Sequence, residues 1–207
     1  MYHSLVLPTQ REQDSLLMIL APYNSEWPAE FDALRCVYMN SLGKLVLRVE
    51  HVGSTVVANL WAKPILDIDI VMPSYEVFPD IVAHLRRLGY THNGDQGIRD
   101  REAFKPLDNL APHASPPRTW MSHHLYVCPA NSVELRRHLI FRDALRAQGN
   151  LRQEYEKRKL DIVERSGDDR MVYAKIKEIE CRDFIESVLI ANSKTQTAQD
   201  TSRPRSA

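Results

Sequence analysis

Several things are scarce in this chain, and each scarcity excludes a class of protein. Its 207 residues hold three cysteines, Cys36, Cys128 and Cys181, far apart and odd in number. No C-x-x-C pair occurs, so neither a disulfide framework nor a zinc site is indicated, and buried reduced thiols in a cytosolic protein are expected. A charge excess is also missing: 27 basic residues face 27 acidic ones, for a formal net charge of zero. A general nucleic-acid coat needs a clear basic excess, so there is no strong nucleic-acid signal. Long apolar runs are absent too. The LLMILA stretch at 16–21 is far too short to span a bilayer, and MYHSLVLPTQREQ is no secretory signal. A soluble, cytoplasmic protein is expected. Hydrophobic residues make up 43% of the chain, enough for the core of one domain with a helical extension.

The richest stretch is EHVGSTVVANLWAKPILDIDIVM, Glu50 to Met72. Successive side chains of a strand point to opposite faces, so Asp67 and Asp69 share one face while Leu66, Ile68 and Ile70 enter a core on the other. Their Cα atoms would lie about 7 Å apart. Two acids inside an apolar run are costly unless something neutralises them. A hard divalent ion, Mg²⁺ or Mn²⁺, answers that need, since such ions take few carboxylates and complete their shell with water and phosphate. The alternative is a pair of solvated acids, or one cap and one ion pair. Upstream, Gly53 lets backbone N–H groups approach a phosphate because it has no Cβ, and Ser54 adds a hydroxyl. A phosphate-holding Gly-Ser turn ahead of a metal-holding D-x-D strand describes a nucleotidyl-transfer site. Lys63 lies close by in sequence and either touches phosphate or pairs with Asp67 or Asp69. Glu50 supports the turn as an outer acid or forms an ion pair at the core edge.

Around that stretch the chain reads as follows. Residues 1–21 are a variable lead-in with a strand at 16–21. Asn24 or Ser25 caps a helix with Pro28 in its first turn, and Trp27, Phe31 and Leu34 pack it on the domain. Gly43 ends it, and the alternation from Leu45 to Glu50 gives a first strand. Residues 56–61 are expected as a short helix whose N-terminus backs the phosphate site. The D-x-D strand runs from Ile65 to Met72, and a helix from Tyr75 to Leu88 ends at Gly89. From His92 to Thr119 the sequence is irregular, with a short strand near Ala103–Pro106. Trp120–Cys128 is a strand on which His123 and His124 face opposite ways, so one of the two enters the site. Ser132 caps a helix over Val133–Ala147 ended by Gly149, Leu151–Arg165 follows, and Asp168 opens a last helix, Arg170–Ile190, with a stripe of Val172, Ile176, Ile179, Phe184 and Val188. Residues 192–207 read as a disordered tail.

The words YNSEWPAEF (23–31), EHVGST (50–55), AKPILDIDIV (62–71), HHLYV (123–127), RRHLIFRDALR (136–146) and Y-x-x-x-K (155–159) resemble GrpB-like proteins, a branch of the nucleotidyltransferase superfamily. The resemblance covers residues 22–191: a sheet core over 22–128 and a helical part over 130–191. It implies an α+β fold, a nucleotidyltransferase-like mixed β-sheet with flanking helices and a C-terminal helical bundle. It also implies that Arg101, Arg142, Lys159 and Lys175, with Tyr173 beside the last, are candidate triphosphate ligands. Salt bridges between helices are the alternative for these cations. Related nucleotidyltransferases bring a third carboxylate on the strand after D-x-D. This chain offers histidine there, which makes His124 the choice for metal or phosphate contact, with His123 close behind. Ala58-Asn59 replaces the family's usual Pro-Gly pair, Trp61 stands where a small residue or proline is usual, and Tyr126 stands where a further histidine is common.

The function these residues imply is metal-dependent transfer of a nucleoside monophosphate from an NTP to a hydroxyl of a small molecule, with Asp67 and Asp69 catalytic. Two other readings stand beside it. One is a nucleotide-binding or regulatory domain of the same fold without turnover. The other is a phosphatase using the D-x-D-x-V strand with Gly167-Asp168-Asp169 as its later acidic motif.

Overall fold

The computed structural model describes residues 20–167 and 169–200, with 194–200 described by their backbone alone. Helix α1 (Trp27–Leu42) starts where the sequence predicts. Asn24 Oδ1 accepts the Glu26 N–H at 2.8 Å, and Pro28 occupies the first turn, where its missing N–H costs nothing. Its buried residues Trp27, Phe31, Leu34, Tyr38 and Leu42 recur at helical spacing and form one apolar stripe. Gly43, at φ +51°, ends the helix.

The first strand, β1 (Arg48–Val52), is later than the alternation suggests. Gly43–Leu45 forms a 3-10 turn instead, which shifts the phase so that Val46 and Val49 are buried and Leu47 is 52% exposed. No helix forms over residues 56–61. Those residues are turns, with Asn59 at φ +60°, and two β-branched valines at 56 and 57 add little helical propensity. Ala62 instead bridges Ala21 antiparallel, which is the described end of the expected 16–21 strand; its other residues lie outside the described ones.

Strand β2 (Leu66–Met72) carries D-x-D as expected. The next helix, α2 (Phe78–Arg87), begins later than Tyr75 because Pro79 fits only a first helical turn; a 3-10 turn, Tyr75–Val77, precedes it. Strands β3 (Tyr90–His92) and β4 (Glu102–Pro106) lie in the irregular region, and β5 (His123–Pro129) follows. The sheet order is β1-β2-β5-β4-β3, with β2 and β5 parallel and every other pair antiparallel.

One sheet face is the main core. Leu66, Ile68, Ile70, Leu125 and Val127 pack there against α1 and α2. Beneath the same face His123 Nδ1–H donates to the Met121 carbonyl at 2.9 Å, so its Nε2 accepts from the Tyr90 hydroxyl at 2.5 Å. Burial keeps this histidine neutral by lowering its pKa.

The helical part comprises α3 (Val133–Ala147), α4 (Gly149–Ser166), α5 (Arg170–Glu180) and α6 (Arg182–Asp200). Ser132 Oγ caps α3 by accepting the Leu135 N–H. Gly149 does not separate helices as a cap; it is the first residue of α4, and Gln148 turns the chain. Gly167, in the left-handed region, ends α4. Asp169 caps α5, accepting from the N–H groups of Met171 and Val172; Asp168 lies outside the described residues. The expected single last helix is two, broken at the buried Cys181. The break explains why the sequence stripe is half right. Phe184 and Val188 are buried, while Val172 and Ile179, at 41% and 61% exposure, are not. Helix α6 runs on to Asp200, past the expected start of a tail at 192. Val57 and Leu60 insert into the helical core beside Tyr155 and Tyr173, so the turn after Gly53 ties the sheet to the bundle. Cys128 and Cys181 are buried free thiols, whereas Cys36 is exposed on α1. Among the described residues no helix is long and apolar enough to cross a membrane.

Candidate active site

The face of the sheet opposite the main core carries the polar residues in two rows. Strand register aligns Val52, Asp67 and His124 in one row and Glu50, Asp69, Tyr126 and Ala103 in the next. Directly paired residues share a face, so both acids, His124 and Glu50 converge as the alternation requires. His123 points the other way and belongs to the core.

Gly53, at φ +74°, lies against the first acid. A Cβ added there would stand 2.1 Å from Asp67 Oδ2, so only glycine leaves room for that carboxylate. On the other side His124 Nδ1–H donates to Asp67 Oδ1 at 2.9 Å. Asp67 is thus held between a close-packed turn and an imidazole, and its side chain remains 33% exposed.

Asp69 sits differently. It is fully buried, and His138 from α3 donates Nδ1–H to its Oδ2 at 2.7 Å. His138 Nε2 lies 3.3 Å from Glu134 Oε1. Both ring nitrogens face carboxylates, which only the imidazolium satisfies. Burial opposes that charge, but the bonds to Asp69 and Glu134 outweigh it and lift the His138 pKa to about 10. The sequence assigned neutralisation of the acid pair to a metal; a protein cation performs it at Asp69. His138 sits within RRHLIFRDALR and escaped notice as a site residue. Its signal was the Glu134-x-x-x-His138 spacing, which puts both side chains on one helix face.

The other oxygen of the same carboxylate, Asp69 Oδ1, is buried and has no hydrogen-bond partner among the described residues. Among those residues no cluster of three or more histidine, cysteine, aspartate or glutamate side chains is arranged to hold a metal ion. A Mg²⁺-type ion does not require such a cage, since it binds through one or two carboxylates plus substrate phosphates and water. The orphaned oxygen of Asp69 and the accessible carboxylate of Asp67 therefore fit a hard divalent ion.

Asp67 and His124 open onto a cavity of about 440 Å³ between the sheet and the helical part. Its lysines are Lys63, Lys159 and Lys177. Lys63 Nζ lies 4.6 Å from the centre of the Tyr173 ring, and burial, with repulsion from Lys177 and Arg170, lowers its pKa. Lys159 is 1% exposed and donates to the Trp61 carbonyl. Burial first and Lys177 second bring its pKa down to about 7. Lys177 stays charged, its pKa raised by the phenol oxygens of Tyr155 and Tyr173 and by Asp67. Among the described residues none of the three lysines makes an ion pair with a carboxylate. Ser54 lines the same cavity and so does the buried Tyr173, whose pKa burial raises.

The structure therefore gathers Gly53, Ser54, Lys63, Asp67, His124, Lys159 and Tyr173 at one place. Two of the expected cations are elsewhere. Arg142 bonds Glu50 at 2.8 Å, Asp143 at 2.7 Å and the His51 carbonyl at 3.2 Å, pinning α3 to β1 outside the cavity. Lys175 is exposed. Two residues along a helix is about 200° of rotation, so Lys175 points away from the cavity that Tyr173 lines. Lys177, four residues after Tyr173, shares its face and is the lysine that the sequence reading missed. Arg101 lies on the site face beyond Asp69, its guanidinium 4.5 Å from the Tyr126 ring centre.

Fold and site together define an α+β protein with a five-stranded mixed sheet, flanking helices and a helical part that closes over the D-x-D strand. The family model described as GrpB protein matches residues 18–189. The chain belongs to the GrpB family. It is similar to the UPF0157 protein YqkA of Bacillus subtilis, 32% identical over 133 residues, which are 64% of this chain and 36% of that protein; it thus spans about a third of that relative. It is also similar to the crystal structure of conserved protein GrpB from Enterococcus faecalis, with TM-score 0.69 and 26% identity over 86% of this chain and 99% of that one. A distant likeness joins it to Cid1 in complex with its short product ApU, with TM-score 0.47 and 11% identity over 72% of this chain and 44% of that one.

Proposed function

We propose that this protein is a metal-dependent nucleotidyltransferase that moves a nucleoside monophosphate from an NTP to a hydroxyl of a small molecule. One observation carries the reading. Asp67 of the D-x-D strand opens into a cavity whose helical wall carries Lys159 and Lys177, with Lys63 beside them; Glu178 and Glu186 also line it, yet none of the three lysines is ion-paired with a carboxylate among the described residues. Cations gathered without counter-ions are costly unless an anion joins them, and a triphosphate supplies several negative charges.

The residues then take these roles. Asp67 and Asp69 hold Mg²⁺ or Mn²⁺, which when bound supplies charge neutralisation at the transferred phosphoryl group. Ser54 and the backbone at Gly53 donate to the phosphates, as do the three lysines. Tyr173 holds Lys63 in place by its ring face. His124 fixes the orientation of the Asp67 carboxylate.

A second reading, nucleotide binding without turnover, is favoured by one observation: Asp69 is fully buried beneath His138, and β5 presents His124 and Tyr126 toward the site with no further carboxylate. The phosphatase reading has no support of this kind, because Asp169 is engaged as the cap of α5.

The test is a thermal-shift panel of the four NTPs, each with Mg²⁺, Mn²⁺ or EDTA, on wild type and on Asp67→Asn/Asp69→Asn. A ligand bound only by the folded state adds about 2.7 kcal/mol at a hundred times its Kd. The expected result is a metal-dependent shift lost in the double variant, and no such shift with any NTP removes the reading. Release of pyrophosphate then separates transfer from binding alone.

A further inference from the structure

A transfer reaction needs two substrates meeting at one phosphorus, so an occupant for the lysine cavity leaves the second substrate to be placed. The row Val52–Asp67–His124 has the lysine cavity on its helical side. On its β4 side lies a second cavity, of about 250 Å³, which shares His124 with the first. It forms where β4 and β5 part company: their ladder ends at Phe104 opposite Leu125, and the gap beyond is bordered by Lys105, Asn93 and Gln96. Its volume lies below the range typical of a drug-sized ligand, which suits a small metabolite.

The polar groups at this end include two cations without an ion-paired acid among the described residues. Ala103 pairs with Tyr126 on the site face, so Lys105, two residues on, faces the same side. Arg101 stacks over Tyr126, its Nε is buried without a hydrogen-bond partner, and no carboxylate forms an ion pair with it among the described residues. The nearby acid, Glu134, is engaged by His138 and Arg137. Asn93 and Gln96 add amides that donate or accept. Lys105 and two amides border the small cleft, and Arg101, with an unused buried donor, stands next to it over the lining residue Tyr126; together they suit a compact anion.

Resting on the nucleotidyltransferase reading, we infer that the cleft between β4 and β5 is the acceptor site, and that it takes a small alcohol carrying a carboxylate or phosphate, held by Arg101 and Lys105 with its hydroxyl toward His124. The donor and acceptor then approach the acid pair from opposite sides, the arrangement that in-line displacement requires.

The experiment follows backbone amides of ¹⁵N-labelled protein by NMR, first with Mg²⁺ and the non-hydrolysable analogues of all four NTPs in turn, then, with the one that binds, with glycerol, glycerate or glycerol 3-phosphate added. The nucleotide is expected to perturb residues around the lysine cavity. Glycerate or glycerol 3-phosphate is expected to perturb residues 93–105 and 123–126, at least tenfold more tightly than glycerol. Which of the two binds better identifies the anion as carboxylate or phosphate. Arg101→Gln/Lys105→Gln should erase the preference over glycerol while leaving the nucleotide perturbations intact, and Lys105→Gln alone, at an exposed position, should weaken anion binding without moving the melting temperature. If the nucleotide binds but neither anion perturbs the β4–β5 cleft, or both bind the double variant equally well, the acceptor assignment is overturned. If none of the four nucleotides binds, the nucleotidyltransferase reading falls, and this inference with it.

Discussion

Replacing Gly53 by alanine tests the geometry of the acid pair without touching either acid. Two separate costs arise. The first is conformational: Gly53 has φ +74°, and an L-residue in the left-handed region costs about 1–2 kcal/mol. The second is steric: the new Cβ would lie 2.1 Å from Asp67 Oδ2 and 2.8 Å from its Cγ, so the carboxylate must shift. Overpacking of this kind typically costs about 1–3 kcal/mol. Gly97 separates the two. It has φ +78°, with nothing within 4 Å of an added Cβ, so Gly97→Ala carries the conformational cost alone. Urea unfolding of both variants should therefore show Gly53→Ala less stable than Gly97→Ala by about 1–3 kcal/mol. Adding Asp67→Ala to Gly53→Ala should recover most of that difference, since the two closest atoms are gone and only the Asp67 Cβ at 3.0 Å remains, whereas Asp67→Asn, nearly the same shape, should not. Equal destabilisation by the two glycine variants would refute the claim that the Gly53 turn is shaped around the Asp67 carboxylate.

The cavity lysines give a second prediction: Lys177→Met should weaken Mg²⁺-NTP binding by about 10–150-fold, the loss of one charge-assisted bond of about 1.5–3 kcal/mol. Lys175→Met should change it less than twofold, and calorimetric titration of both decides, since the reverse order would move the site to the other face of α5. Two buried protonations give a third prediction, with opposite signs. The raised His138 pKa, about 10 against 6.5, contributes stability that is full below pH 6.5 and lost as pH rises through 10; the lowered Lys159 pKa, about 7 against 10.5, costs stability below pH 7 and releases that cost toward pH 10.5. Each slope approaches about 1.4 kcal/mol per pH unit, so they oppose each other in wild type between pH 7 and 10. Urea unfolding should fall with pH in Lys159→Met and rise in His138→Gln, and parallel curves for all three proteins would refute both assignments.

What the sequence made legible was what depends on local period. Asp67 and Asp69 share a face because side chains alternate along a strand, and His123 and His124 part for the same reason. Capping by Ser132 was legible as local chemistry too. What escaped depends on packing between elements. The 56–61 segment looked like a helix start, but burial of Val57 and Leu60 in the bundle holds it in turns. Lys175 was preferred to Lys177 because motif order fixes a neighbourhood, whereas only the docking of α5 fixes which face looks inward. Arg142 had the right charge, yet Glu50 from β1, distant in sequence, had already claimed it.

His138 is the instructive case, because the physical demand was visible in the sequence and its solution was not. A carboxylate buried among Ile68, Ile70 and Val71 requires a cation, and nothing along β2 itself supplies one. The cation arrives from α3, held by Glu134 one turn earlier on the same helix. The lysine cavity presents the converse. Burial first and Lys177 second depress Lys63 and Lys159, and Asp67 and Glu156 relieve that only in part, so the fold carries a like-charge cluster without an ion-paired carboxylate among the described residues. A buried acid with its counter-ion built in is a solved structural problem. A group of three lysines, one of them fully buried, left without an ion-paired carboxylate makes sense once a polyanion from outside completes it, which is why the proposed site rests on the cavity more than on the D-x-D strand alone.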